Sequence, residues 1–243
     1  MEPEKHLEGL KRPSLTSSPG AGGMVVRFEN VEKVWMKLVD AYVEVLPSPD
    51  GTVHVEAEPE SAFSLKEHSE ELSILTSTGW KLRNLPRKAK ERARLVVRVP
   101  KGVEISGGMK RVSLHAEGAS FGSFAIGEAT AELAGCSVGN LAVGPARLRG
   151  SLYVREKTEI AVSMGSLELK VLELEAPIDV SVVMGSLKLF LPEDCDASVE
   201  VAGNADGVIL NSGRLLGSGE HRIRLSSVKG VIVVDTWGEF DDI

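Results

Sequence analysis

Cysteine is nearly absent from this chain. Among 243 residues there are two, Cys136 and Cys195, both in apolar, strand-like text without CxxC spacing or a neighbouring histidine. That setting favours two small buried hydrophobes over a disulfide or a reactive thiol. Long apolar runs are missing as well. No stretch approaches the roughly 18 residues of a membrane span, and Met1 to Gly23 carries early charges but no apolar signal core, so the expectation is a cytoplasmic protein without membrane insertion. A start at Met24 would leave the text before it as an extension. Basic residues are outnumbered, 28 against 35 acidic, for a net charge of −7. A negative field argues against general nucleic-acid or membrane-surface binding.

The groups that catalysis would need are also sparse. Between residues 100 and 192 the only aspartate is Asp179. The glutamates there, including Glu173 and Glu175, are scattered along strands and turns, and these two alternate with Leu172 and Leu174 as on a solvated strand face. That is not the paired-carboxylate arrangement of a glycosidase. Glu193-Asp194-Cys195-Asp196 offers three carboxylates, but after Leu191-Pro192 it reads as a turn before it reads as a calcium site. The histidines show no HxH or HExxH spacing, and His54 and His221 fall on the polar phase of alternating strands, where exposure is expected. No GxSxG elbow and no GxxxxGK[ST] loop occurs. No cofactor, metal or catalytic residue is expected.

What the chain has is glycine, 25 residues of it, in a recurring pattern. Ser163-Met164-Gly165-Ser166-Leu167-Glu168-Leu169 returns as Val183-Met184-Gly185-Ser186-Leu187-Lys188-Leu189, with the two glycines 20 positions apart. The skeleton of Gly followed by apolar residues two and four places on recurs at Gly122, Gly139, Gly150 and Gly230, with a weaker copy at Gly207 and Ile209. Such a repeat suits a right-handed β-helix or solenoid. Glycine relieves the backbone at a corner, alternate residues of the following strand point inward, and each coil is stable only against its neighbours. Leu167 and Leu169 are then expected to stack on Leu187 and Leu189, leaving Glu168 and Lys188 outside to pair. A β-sandwich built from hairpins is the competing all-β fold, because alternation fits both.

In chain order, residues 1–23 end in Ser, Pro and Gly and are expected to be a disordered extension. Residues 24–243 form one elongated domain, divided into N-terminal strands (24–100), Gly-led coils (101–235) and an acidic tail (236–243). Val34, Met36 and Leu38 read as a strand, although Val31, Val34, Trp35 and Leu38 also have helical spacing. Tyr42 to Leu46 and Val53 to Ala57, around Pro47 to Gly51, read as a hairpin that forms part of the solenoid or caps it. Leu72 to Thr76 and Leu95 to Val99 are further strands. Trp237 and Phe240 in the tail could cap an open coil end.

One segment breaks the texture. From Lys81 to Arg94 there are seven basic residues and one acid, Glu91, beside Trp80. A solvated loop is the plainer reading. An anion or partner site would use Trp80, Lys81, Arg83, Arg87, Lys88, Lys90 and Arg92.

The order of segments resembles a known family. Asp40-Ala41-Tyr42-Val43-Glu44-Val45 is followed by Val53-His54-Val55-Glu56-Ala57 and a charged loop. Then come Leu95-Val96-Val97-Arg98-Val99-Pro100-Lys101-Gly102-Val103 and Gly-led strands closing with Ser226-Ser227-Val228-Lys229-Gly230-Val231-Ile232-Val233. This layout is similar to the putative-adhesin family of bacterial and archaeal β-solenoid domains over roughly residues 30 to 235. It departs from the family pattern where Ser, Asn or Val, not Asp, follows the repeat glycine. The resemblance implies a right-handed β-helix without established catalytic residues, and the adhesin label implies surface display, which this N-terminus does not support. The expected function is a non-catalytic, adhesin-like structural or interaction module that self-associates, with a second copy or another protein as partner. A carbohydrate-active β-helix enzyme is one alternative. Anion or nucleic-acid binding through the basic loop 81–94 is another, with nucleic acid disfavoured as a partner by the net charge.

Overall fold

The computed structural model describes residues 23–77, 92–203 and 207–238. It is all-β: twenty-one strands among the described residues join one continuous sheet, with a single 3-10 turn at Glu60–Ala62 and no α-helix among those residues. In chain order these are β1 (Met24–Phe28), β2 (Lys33–Val39), β3 (Ala41–Pro47), β4 (Val53–Glu58), β5 (Phe63–His68), β6 (Glu71–Thr76), β7 (Ala93–Val99), β8 (Glu104–Lys110), β9 (Ser113–Glu117), β10 (Ser120–Gly127) and β11 (Thr130–Val143). The remainder are β12 (Arg147–Val154), β13 (Thr158–Val162), β14 (Ser166–Leu174), β15 (Ile178–Val182), β16 (Ser186–Pro192), β17 (Ala197–Ala202), β18 (Val208–Leu210), β19 (Leu215–Leu216), β20 (His221–Ser227) and β21 (Val231–Trp237).

The chain passes back and forth between two ladders. The first runs β1, β4, β7, β3, β9, the start of β11, β12, β14, β16, β21, β18. The second runs β5, β6, β2, β8, β10, the end of β11, β13, β15, β20, β17, β19. Pairing is parallel except where β1, β4, β5 and β19 double back at the two ends. A rung, one strand from each ladder, therefore sits about 4.8 Å from the next, and like side chains fall into columns. Leu148, Leu167, Leu187 and Ile232 form one inward column in direct register, each 2% exposed or less. Outward, His115, Glu132, Arg149, Glu168 and Lys188 form another. In it Arg149 donates to Glu132 at 2.9 Å, and Glu168 faces Lys188 across neighbouring strands. The strand reading of Val34, Met36 and Leu38 holds, with all three buried and Trp35 pointing out.

Three expectations are corrected. The Tyr42–Ala57 hairpin does not form: β7 lies between β3 and β4, parallel to the former and antiparallel to the latter. The connection from Ser48 to Thr52 spans a strand instead of closing a tight turn, and the antiparallel hairpin at this end of the stack is β5–β6. The order of rungs also departs from chain order. The β2–β3 rung lies between β6–β7 and β8–β9, and the β20–β21 rung lies between β15–β16 and β17–β18. Trp237 accordingly caps no coil end. Its Nε1 donates to the Val171 carbonyl at 2.9 Å and Lys170 lies 3.7 Å over its ring, fastening three rungs together; Phe240 lies outside the described residues. Finally, the weak copy at Gly207 is out of phase. Val208 and Leu210 take the inward register and Ile209 is 51% exposed.

Candidate functional site

The corner where the chain passes from the second ladder to the first is built in two ways. On three successive rungs a single residue in the left-handed region makes the bend: Asp40 (φ 57), Arg111 (φ 53) and Glu128 (φ 51). Such a bend is uncommon outside glycine, and here the side chains that make it also bond one another. Arg111 donates to both Asp40 oxygens at 2.7 and 2.8 Å and reaches Glu128 at 3.8 Å, while Lys110 reaches Glu128 at 3.2 Å. The Asp40 carboxylate raises the already high pKa of the Arg111 guanidinium.

On the following rungs the corner widens and glycine takes over. A Cβ on Gly165 would stand 2.7 Å from the Gly144 carbonyl, and one on Gly230 2.7 Å from the Gly185 carbonyl; Gly185 is closed off by the Gly165 carbonyl in the same way. None of these glycines has a positive φ. The repeat glycine is therefore required by close approach of backbone to backbone, and not by an unusual bend.

Met164 and Met184, which precede Gly165 and Gly185 in the repeat, are 54% and 57% exposed. They stand on the corner and form one wall of a groove of about 720 Å³. Its floor continues across the first ladder through Thr130, Arg147, Ser166 and Ser186, which are successive register partners. Ser186 Oγ donates to Ser166 Oγ at 3.2 Å. Arg92 also lines the groove, and Glu128, already held by Lys110 and Arg111, is the one carboxylate among its described lining residues. Across the corner, the outer face of the second ladder carries a second groove of about 700 Å³. There Gly108, Ala125, Ala142, Ala161 and Ser181 follow one another in register between Trp35 and Val183.

Of the residues singled out for an anion or partner site, Arg92 lines the first groove. Trp80, Lys81, Arg83, Arg87, Lys88 and Lys90 lie outside the described residues. Arg147, Thr130, Ser166, Ser186 and the two methionines were not singled out, although the identical Met-Gly-Ser in both copies was the available signal. Glu173 accepts from Arg155 at 3.1 Å, and among the described residues no group of three His, Cys, Asp or Glu could hold a metal ion. Glu193 and Asp194 form a turn, and Asp196 accepts from the backbone N–H of Ser218, far along the chain, at 2.6 Å. His54, expected to be exposed, is 8% exposed; its Nε2 lies 2.7 Å from Asp50 and 2.8 Å from Thr52. Among the described residues no helix is long and apolar enough to cross a membrane.

No protein-family model matches this chain, and no curated protein matches it. Among solved structures, it is similar to a putative adhesin from Bacteroides fragilis (14% identity, 90% of this chain and 99% of that one, TM-score 0.46). It is also similar to a putative cell adhesion protein from Clostridium sporogenes (11%, 93% and 100%, 0.38) and to a putative adhesin from Parabacteroides merdae (8%, 89% and 97%, 0.37).

Proposed function

We infer that this chain is a right-handed β-solenoid that acts as a non-catalytic, adhesin-like interaction module and associates with copies of itself. The observation that carries the reading is the register. Repeated residues such as Leu167, Leu187 and Ile232 are used inside, to stack one rung on the next. The variable residues are left to the surface and the ends. In such a stack each rung buries its inner face only against its neighbours, so the terminal rungs need protection.

One end has little. Strand β18 has three residues and is hydrogen-bonded to β21 on one side only among the described residues. Its central residue Ile209 is 51% exposed, and Leu215 of β19 is 64% exposed. An open strand edge flanked by apolar side chains is a template for another strand, and a two-fold pairing of β18 with its copy covers the β18 edge of both partners. Light scattering from micromolar to near-millimolar concentration tests this. A dimer that Ile209→Lys or Leu215→Glu converts to monomer is expected, and a wild-type monomer throughout contradicts self-association.

A further inference from the structure

We propose that the groove beside Met164 and Met184 binds a linear acidic polysaccharide, a chain with a carboxylate on its sugar units, along the line Thr130, Arg147, Ser166, Ser186. This goes beyond the self-association reading and does not depend on it.

Three observations define the ligand. The first is charge. On the first ladder the exposed guanidiniums of Arg94, Arg98 and Arg149 each meet a carboxylate, on Glu44, Glu56 and Glu132. Arg92 and Arg147 have no such partner among the described residues, and both line this one groove. Two unanswered guanidiniums, with the only carboxylate among the described lining residues already held by Lys110 and Arg111, select an anion. The second is the row of hydroxyls. Thr130, Ser166 and Ser186 lie in register with Arg147, at the spacing of about 4.8 Å that separates parallel strands. That spacing is close to the advance of one pyranose along an extended chain, so each rung can offer a hydrogen bond to a successive sugar. The third is the wall. Met164 and Met184 present flexible, polarisable thioethers to which the C–H face of a pyranose can pack.

Other extended anions fit less well. An acidic peptide binds as a strand by pairing its backbone with a free sheet edge. Here Arg147 and Ser166 belong to β12 and β14, which are hydrogen-bonded on both sides. A single-stranded nucleic acid needs aromatic faces for its bases, and no aromatic residue lines the groove among the described residues.

Affinity electrophoresis in native gels containing polygalacturonate, a neutral galactan or no polymer, together with calorimetry against tetragalacturonate, tests the assignment. Retardation by polygalacturonate alone is expected. Arg147→Gln is expected to weaken tetragalacturonate binding about tenfold, as loss of a charge-assisted hydrogen bond does, and Arg147→Lys to weaken it less. Arg155→Gln, whose side chain is occupied by Glu173, should bind as wild type does. Arg147 is exposed and unpaired among the described residues, so its variants should melt with the wild type, which separates lost binding from lost folding. Absence of retardation, equal retardation by the neutral polymer, or Arg147→Gln binding like wild type overturns the proposal. So does single-stranded DNA of equal charge binding as tightly with the same dependence on Arg147. Because the oligomeric state is read separately, failure here and failure of self-association are distinguishable.

Discussion

The carbonyl oxygen of Gly165 accepts a hydrogen bond from the Ser186 N–H at 2.9 Å and at the same time closes the space over the α-carbon of Gly185. The oxygen cannot retreat without giving up the bond that joins two rungs. Gly185→Ala is therefore expected to destabilise the protein by about 2 kcal/mol or more, the range for overpacking where neighbours cannot move. Gly127→Ala, with nothing within 4 Å of the added methyl, should stay within about 0.5 kcal/mol of wild type. Urea unfolding of the two variants makes the comparison, and equal effects would contradict the close-approach account.

The columns make a second distinction between adjacent residues. Leu169 is fully buried, in register with Leu189 and Gly150, whereas Glu168 faces solvent. Leu169→Ala is expected to lose about 2–5 kcal/mol and Glu168→Ala less than about 1 kcal/mol, as for an exposed charge beside others. Thermal melts of both variants check the inward and outward phases of β14.

A third expectation concerns acid. Hydrogen bonds, first from His54 and then from Thr52, hold the Asp50 carboxyl well below the usual carboxylate range. A folded pKa below the unfolded one means that Asp50 contributes stability above about pH 4, its unfolded value, and loses that contribution as pH falls toward the folded value. Asp50→Asn should therefore be less stable than wild type at pH 7, with the difference shrinking as pH is lowered from 5 toward 2. Melting curves across that range test the sign; a difference that grows on acidification contradicts it.

The thiols give a fourth. Burial pushes the pKa of both Cys136 and Cys195 up, and Cys136 is fully enclosed. Neither is expected to react with a thiol reagent at pH 8 while the protein is folded. Both should react in denaturant, and in partial unfolding Cys195, 8% exposed, should react before Cys136. Rapid native labelling of Cys136 would contradict its burial.

Much of the fold was legible in the sequence because strand alternation and repetition are local signals. Leu167, Leu169, Leu187 and Leu189 reveal both their phase and their stacking. The rung order was not legible. Placing β21 beside β16 in place of β18 depends on contacts between segments far apart in the chain, which no local pattern records. The groove was half legible. Arg92 stood out through its charged neighbours, but Met164 and Met184 look like core residues, since a methionine before a corner glycine carries no mark of its exposure. His54 was misjudged because alternation cannot foresee that Asp50, four residues earlier in the connection before β4, folds over it.

The open β18 edge and the close approach of Gly230 to Gly185 both depend on that rung order, so the most direct test is a crosslink. Lys188 is in register with Val233, and Val233 with Ile209; rungs stacked in chain order would instead put Lys188 beside Ile209. Neighbouring strands bring α-carbons within disulfide range, and the native thiols are buried and do not compete. Under mild oxidation the Lys188→Cys/Val233→Cys variant should close an intramolecular disulfide and run faster on a non-reducing gel, while Lys188→Cys/Ile209→Cys stays open. Closure of the second pair and not the first would contradict the account.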